Sequence, residues 1–207
     1  DGHSSDCRHP HSGEGPGVTV ANSTYAFAAT PAVLDDLGIR TLADLAAAIE
    51  REDAGPSICL DEDSGFADDP EGRRQFEDAF GVQVEPTASL PTDELFEQVE
   101  AGVFCQVGQV INTDPRLADG RLEVLEDAGT FTIYNPSMTI RQDVVEEVPA
   151  FEDLLAQLSP RLTDEVVRSL RAEVELEGRP VREVARDWLV DEGLAAAPTT
   201  TTSEEGD

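Results

Sequence analysis

Short apolar segments alternate with helical segments over most of this 207-residue chain, and this alternation limits the possible folds more than any other feature. Residues 18–30, 57–60 and 104–111 carry the compact apolar runs that are typical of buried strands. Between them, Thr41 has the residue type and spacing of a helix cap, and Gly102 is positioned to end another helix. Strands that alternate with helices predict an α/β architecture with mainly parallel strands.

Further element boundaries follow from residue type. Residues 121–125 and 131–140 are predicted to form two more strands. Asp69 and Pro70 have the residue types of a helix cap and of a first helical position. We therefore expect a helix to begin at this pair.

After residue 143 the pattern becomes helical, with Thr163 predicted to begin one helix and Arg179-Pro180 the last. The residues predicted to face inward are Val166, Val167, Leu170 and Val174, followed by Val181, Val184, Ala185, Trp188 and Leu189. Trp188 lies in this apolar stripe and is therefore expected to pack in a core.

The formal charge of −30 excludes several classes of partner. It results from 44 acidic and 14 basic residues, and all the basic residues are arginine. Nucleic acid and anionic membranes would be repelled by such a chain. No apolar run approaches the roughly 20 residues that a membrane-spanning helix needs.

Histidine is confined to the first eleven residues, so the body of the chain cannot hold a Ser-His or Cys-His pair. Binding is therefore favoured over catalysis, and we expect no enzyme activity and no cofactor. His3, Cys7, His9 and His11 are weak metal-ligand candidates because imidazole and thiolate bind zinc or copper. Their spacing matches no standard structural site, and we predict that residues 1–17 are a disordered leader without metal.

Cys59 and Cys105 both lie in predicted strands, and Cys7 makes the cysteine count odd. From the residues alone, a disulfide between the strand cysteines and two buried free thiols both remain open.

The two tyrosines each lie where a predicted strand meets a polar turn. Tyr25 follows Ala21-Asn22-Ser23-Thr24, and Tyr134 precedes Asn135-Pro136-Ser137. Such positions border clefts, although a tyrosine that packs with its hydroxyl in water would look the same.

An ordered series of segments resembles a known family. The segments are residues 22–28, 42–45, 57–60, 66–72, 108–114 (GQVINTD), 122–127, 134–137 (YNPS), 158–160, 162–166 and 184–189. Together they resemble the substrate-binding proteins of ABC transporters for glycine betaine and choline, over about residues 18–195. No single motif is decisive, but their ordered sum is specific.

The resemblance implies a type II periplasmic-binding-protein-like α/β fold, in which two lobes joined by a hinge close on a ligand. It also implies a box of aromatic side chains that surrounds a quaternary ammonium group. Tyr25 and Tyr134 match positions of this box. Asn112, Thr113 and Asp114 are expected near the cleft.

Two further implications concern the cysteines and Asp69. Cys59 and Cys105 match a recurrent cysteine pair in the family, which favours the disulfide. Relatives commonly carry an arginine at the position of Asp69, where it can hold a ligand carboxylate. We therefore expect Asp69 to lie at the ligand site and to shift binding toward choline-like ligands, or toward weak or no binding.

Relatives also begin with a substantial section of the first lobe, so we expect the first lobe to be incomplete here. The predicted organisation is a leader over 1–17, the inter-lobe strand and second lobe over 18–134, the mostly helical C-terminal part of the first lobe over 135–196, and a disordered tail over 197–207.

The expected function is that of the extracytoplasmic solute-binding component of an ABC importer for glycine betaine or choline-type osmolytes. The location would be periplasmic or at the cell surface, with a lipid anchor as one possible form. The expected partners are a quaternary-ammonium molecule and a membrane permease, with no nucleic acid. Alternatives are a ligand-sensing regulatory domain of the same fold, a degenerate fragment without binding, and an enzyme on this fold.

Overall fold

The protein is described here by a computed structural model, which covers residues 18–51 and 55–197. The expected leader with its candidates His3, Cys7, His9 and His11 lies outside the described residues, as do residues 198–207 of the expected tail. In the described part, no group of three or more His, Cys, Asp or Glu side chains is arranged to hold a metal ion. Likewise, none of the described helices combines the length and apolar character needed to cross a membrane.

One mixed sheet forms the centre of the described chain. Its strands are β1 (Tyr25–Ala29), β2 (Ile58–Asp61), β3 (Ala88–Leu90), β4 (Val107–Ile111) and β5 (Glu123–Val124), in the order β3-β2-β4-β1-β5. β2 pairs in parallel with β3 and β4, whereas β1 pairs antiparallel with β4 and β5. Four strands therefore run in one direction and β1 runs against them, which agrees with the predicted mainly parallel sheet.

Helices cover both faces of this sheet. The α-helices are α1 (Pro31–Leu37), α2 (Leu42–Ile49), α3 (Arg73–Phe80), α4 (Thr92–Ala101), α5 (Gln142–Glu147), α6 (Ala150–Leu158), α7 (Asp164–Glu175) and α8 (Val181–Asp191), with 3-10 turns at Pro115–Asp119 and Ser159–Arg161. The predicted cap at Thr41 is confirmed: its hydroxyl accepts the Asp44 N–H at 3.1 Å, and the Asp44 carboxylate accepts the Thr41 N–H at 3.0 Å. Gly102 ends α4 in the left-handed conformation, with φ of 65°.

Side-chain alternation along the strands separates two apolar cores. Phe27 of β1 and Leu60 of β2 belong to the core under α1, α2 and α3, while Ala28 and Cys59 belong to the core under α4. This division follows from the two-residue period of a strand. On the α4 side, a Cβ added at Gly108 would lie 2.6 Å from a Val99 methyl carbon, so glycine permits the close approach of α4 to β4.

A disulfide joins Cys59 of β2 to Cys105, which lies just before β4. The two Cα atoms are 5.6 Å apart, and both residues are fully buried. This separation is within the normal range for a disulfide. The bond links two neighbouring parts of the sheet across a separation of 46 residues.

One predicted helix begins later than expected, and one predicted strand is absent. Asp69 and Pro70 do not begin a helix, because α3 begins at Arg73 after Gly72, and the Asp69 carboxylate instead accepts the Glu71 N–H at 2.9 Å. Residues 131–140 contain no named strand. They run beside residues 18–24 and are held there partly by side chains, so a regular ladder does not form.

The C-terminal helices are present, and their apolar faces are partly exposed. Thr163 caps α7 as predicted, yet α7 contains no fully buried residue. In α8, Val184 is buried, Trp188 is half-buried and Val181 is 66% exposed. Apolar residues of the preceding segment are also exposed, namely Val148, Phe151 and Leu154.

The division of the chain at residue 134 stays a prediction. α7 lies beyond this boundary, yet the Arg171 guanidinium donates to the Thr113 carbonyl at 2.8 Å. α7 also packs against the 3-10 turn at Pro115–Asp119. The C-terminal helices are therefore attached to the α/β body through α7.

Removing the disulfide should lower stability by about 4 kcal/mol, which is the loop-closure estimate for a separation of this size. We expect the Cys59→Ser/Cys105→Ser variant to unfold at a lower urea concentration than its parent. Both proteins should carry Cys7→Ser, so that thiol exchange does not contribute. Equal unfolding midpoints for the two proteins would contradict a stabilising disulfide.

Candidate functional site

Two chain segments run side by side at the edge of the sheet and bring the tyrosines together. The Thr19 N–H donates to the Pro136 carbonyl at 3.0 Å, and the Ser23 N–H donates to the Tyr134 carbonyl at 3.0 Å. The Thr24 hydroxyl donates to the Thr132 carbonyl at 2.7 Å. We call residues 19–24 and 132–136 the paired segments. Tyr25 directly follows the first segment, and Tyr134 lies within the second.

An open cavity of about 160 Å³ lies beside the paired segments. It is lined by Ser23, Thr24, Tyr25, Ser64, Asp69, Ile111 and Tyr134. We call it the tyrosine cavity. Both tyrosines of the chain are in this lining. The structure thus brings together three of the predicted site residues, Tyr25, Tyr134 and Asp69.

Tyr25 is held from both ends of its side chain. Its ring meets the edges of Phe66 and Phe131, at centroid distances of 5.2 and 6.0 Å. Its hydroxyl donates to the Asp69 carboxylate at 2.7 Å. The Ser64 carbonyl is a second, more distant acceptor at 3.4 Å. Burial, followed by the bond to Asp69 and nearby negative charge, raises the pKa of Tyr25 to about 12. The ring is therefore fixed and stays neutral at physiological pH.

Tyr134 makes a similar contact at the mouth of the cavity. Its side chain is 47% exposed, and its hydroxyl donates to the Glu71 carboxylate. This bond is the main cause that raises the pKa of Tyr134. The Glu71 N–H in turn bonds the Asp69 carboxylate and, with the Tyr25 hydroxyl, lowers the pKa of Asp69. The turn before α3 therefore supplies one carboxylate to each tyrosine.

Buried polar contacts hold Ser64, another residue that lines the cavity. Gln109 is fully buried in β4, and its side-chain oxygen accepts the Ser64 hydroxyl at 2.9 Å and faces the Asp61 N–H at 3.4 Å. Its amide group donates to the Val110 carbonyl at 2.9 Å. Burial is the largest cause that raises the pKa of Asp61, whose carboxylate accepts the Thr92 hydroxyl at 2.9 Å. These bonds position the loop that carries Ser64.

Asn112, Thr113 and Asp114, which were predicted near the cleft, are not among the residues that line the tyrosine cavity. The Asn112 amide donates to the Asp164 carboxylate at 2.6 Å, and the Thr113 hydroxyl lies 2.9 Å from the Ser23 hydroxyl. Asp114 caps the following 3-10 turn through the Arg116 N–H. Asn112 and Thr113 thus attach α7 and the first paired segment to the end of β4, and Ile111 is the residue of this region that lines the cavity.

Five residues that line the cavity or bond to a tyrosine hydroxyl were missed by sequence reasoning: Ser23, Thr24, Ser64, Ile111 and Glu71. Ser23 lies two residues before Tyr25, so its place beside the predicted site could have been inferred. Glu71 lies 63 residues from Tyr134, and no local pattern links such distant positions. Its closeness to Asp69 in the chain is the nearest available signal.

The cavity is suited to binding a cation. Among the described residues that line it, none is basic, and two aromatic rings lie beside two carboxylates. Aromatic faces and carboxylates both attract positive charge.

Comparison with known proteins gives a consistent result. A family model described as the substrate-binding domain of an ABC-type glycine betaine transport system matches residues 12–191. The chain is 30% identical over 188 residues to the glycine-betaine-binding protein of Pseudomonas aeruginosa, a match that covers 85% of this chain and 58% of that protein. It is 25% identical over 180 residues to the glycine betaine-binding protein YehZ of Escherichia coli, covering 84% of this chain and 58% of that protein.

A solved structure shows the same fold. The apo form of YehZ from Escherichia coli superposes with a TM-score of 0.71 at 22% identity, covering 86% of this chain and 65% of that one. This likeness confirms the predicted type II periplasmic-binding-protein-like α/β fold. The chain spans about 58% of the length of the two curated relatives.

The contact between Tyr25 and Asp69 predicts an unusual phenol titration. In a Tyr134→Phe background, Tyr25 is the single tyrosine, and its ionisation should be centred near pH 12. Asp69→Asn should lower this pKa, but not fully to its ordinary value of 10.0, because burial is its largest cause. Because the folded pKa is raised, the stability from this contact should be complete below pH 10 and lost as pH rises toward about 12. Ultraviolet absorbance of the phenolate measures the titration.

The control for this titration is Asp68→Asn, which removes a charge from an exposed neighbour of Asp69. That variant should leave the Tyr25 titration unchanged. A midpoint near pH 10 in the parent, or equal shifts from both variants, would contradict the contact.

Proposed function

Because this chain belongs to the family of substrate-binding domains of ABC-type glycine betaine transport systems, we propose that it is the extracytoplasmic solute-binding part of an ABC importer for quaternary-ammonium osmolytes of the glycine betaine and choline type. The single observation that carries this proposal is the convergence of Tyr25 and Tyr134 on one cavity beside two carboxylates. The relatives are named for binding glycine betaine.

The chemistry of such ligands agrees with this lining. A trimethylammonium group carries a positive charge but no N–H donor, so hydrogen bonds cannot recognise it. An aromatic ring attracts it by roughly 0.5–2 kcal/mol through its electron-rich face. Tyr25 is fixed by aromatic packing and by Asp69, so little freedom is lost when its ring meets a ligand.

The disulfide supports the proposed extracytoplasmic location. Disulfides persist in oxidising compartments and are rare in the cytosol. The buried bond between Cys59 and Cys105 therefore favours a periplasmic or cell-surface protein. The proposed partner in the membrane is the permease of the same transport system, and we propose no catalytic step.

Ligand binding can be tested with the two tyrosines as reporters. Because the chain has two tyrosines and both line the cavity, ring-labelled tyrosine gives NMR signals from this site alone. Choline or glycine betaine should shift these signals, and calorimetric titration should give the Kd. Tyr134→Leu should weaken binding roughly tenfold, because it removes one cation–π contact.

The matched control is Tyr134→Phe, which keeps the ring and removes the hydroxyl. Its Kd should change less than about threefold, since the aromatic face is retained. The proposal fails if neither ligand shifts either tyrosine. It also fails if the leucine and phenylalanine variants bind equally well.

A further inference from the structure

The hydroxyl protons around the tyrosine cavity are already used within the protein. Tyr25 donates to Asp69, and Tyr134 donates to Glu71. Thr24 donates to the Thr132 carbonyl, and the Ser64 hydroxyl donates toward the Asp61 carbonyl at 2.8 Å and the Gln109 side chain at 2.9 Å. A hydroxyl has one proton, so these four groups present oxygen lone pairs to a ligand.

The remaining lining hydroxyl, that of Ser23, shares one bond with the Thr113 hydroxyl at 2.9 Å. At most one of the five lining hydroxyls therefore has a proton free for a ligand. Asp69 contributes only acceptor oxygens when ionised, and Ile111 has no polar side-chain group. Nearly all the polar side-chain groups that line the cavity therefore offer hydrogen-bond acceptors to a ligand.

The charge around the cavity also disfavours a ligand carboxylate. Asp69 lines it, Glu71 contacts Tyr134 at its mouth, and no described lining residue is basic. A ligand carboxylate at this wall would meet two negative charges and almost no donors. A cation that also carries a hydroxyl could instead donate that proton to a carboxylate.

From these contacts we infer that the tyrosine cavity prefers organic cations without a carboxylate, such as choline, and that Asp69 and Glu71 determine this preference. The inference rests on the proposed function and narrows its ligand class. Asp69 and Glu71 act directly on the charge of the ligand and also position the two tyrosine hydroxyls.

The expected size of the effect follows from Coulomb's law. Two like charges in contact repel each other even in water, and more strongly at a protein surface. Each carboxylate is therefore expected to change the ratio of the two ligand affinities severalfold, and both together about tenfold or more.

The test compares three ligands by calorimetry and tyrosine NMR on the whole chain. Choline should bind at least about tenfold more tightly than glycine betaine, whose carboxylate is repelled. The third ligand, 3,3-dimethylbutan-1-ol, has the shape of choline without its charge and should bind at least about tenfold more weakly than choline.

Variants assign the preference to the two carboxylates. The Asp69→Asn/Glu71→Gln protein should bind glycine betaine and choline with affinities within about threefold of each other. Asp68→Asn removes the same type of charge from an exposed neighbour, and its ligand ratio should stay that of the parent.

Each outcome supports or overturns a distinct statement. If glycine betaine binds the parent as tightly as choline, this inference is wrong while the proposed function stands. If the double variant keeps the ratio of the parent, or if Asp68→Asn changes it equally, Asp69 and Glu71 do not determine the preference. If no quaternary ammonium ligand binds the parent, the proposed function fails and the inference fails with it.

Discussion

The antiparallel pairing of β1 with β4 is the constraint on which the rest of the described structure depends. It places Tyr25 opposite Ile111, so the first residue of β1 lies beside the last residue of β4 at one edge of the sheet. The residues before β1 then continue along residues 132–136, while the residues after β4 attach to α7. A shift of one residue in this register would turn Tyr25 to the opposite face and remove it from the cavity.

Tyr25 makes both an apolar and a polar contact at that edge. Its ring extends the aromatic cluster of Phe27, Phe66, Phe76 and Phe131, and its hydroxyl reaches the carboxylate of Asp69. The apolar body and polar tip of tyrosine suit a boundary between core and water. This packing gives the ring one orientation, and the hydrogen bond turns the hydroxyl proton away from the ligand space. The proposed recognition of a cation thus uses contacts that also stabilise the fold.

Local signals in the sequence were reliable where a single element determined the outcome. The capping box at Thr41 and Asp44 needs only residues three apart, and the glycine that ends α4 needs only its own backbone freedom. The start predicted for a helix at Asp69 and Pro70 was wrong, because Asp69 is occupied by the Glu71 N–H and by a tyrosine 44 residues away, and α3 begins at Arg73. Residues 131–140 were predicted as a strand, but residues 18–24 beside them bond to them partly through side chains.

The sequence by itself determined the alternation of strands and helices, the strong negative charge, and the family through the order of its segments. It also identified Tyr25, Tyr134 and Asp69 as candidates. Only the tertiary structure decided that these three line one cavity, that Glu71 contacts Tyr134 beside it, and that Asn112 and Thr113 bond to α7. The physical reason is that side-chain type and local spacing can be read from the sequence. The direction of each hydroxyl proton depends instead on partners that folding brings together.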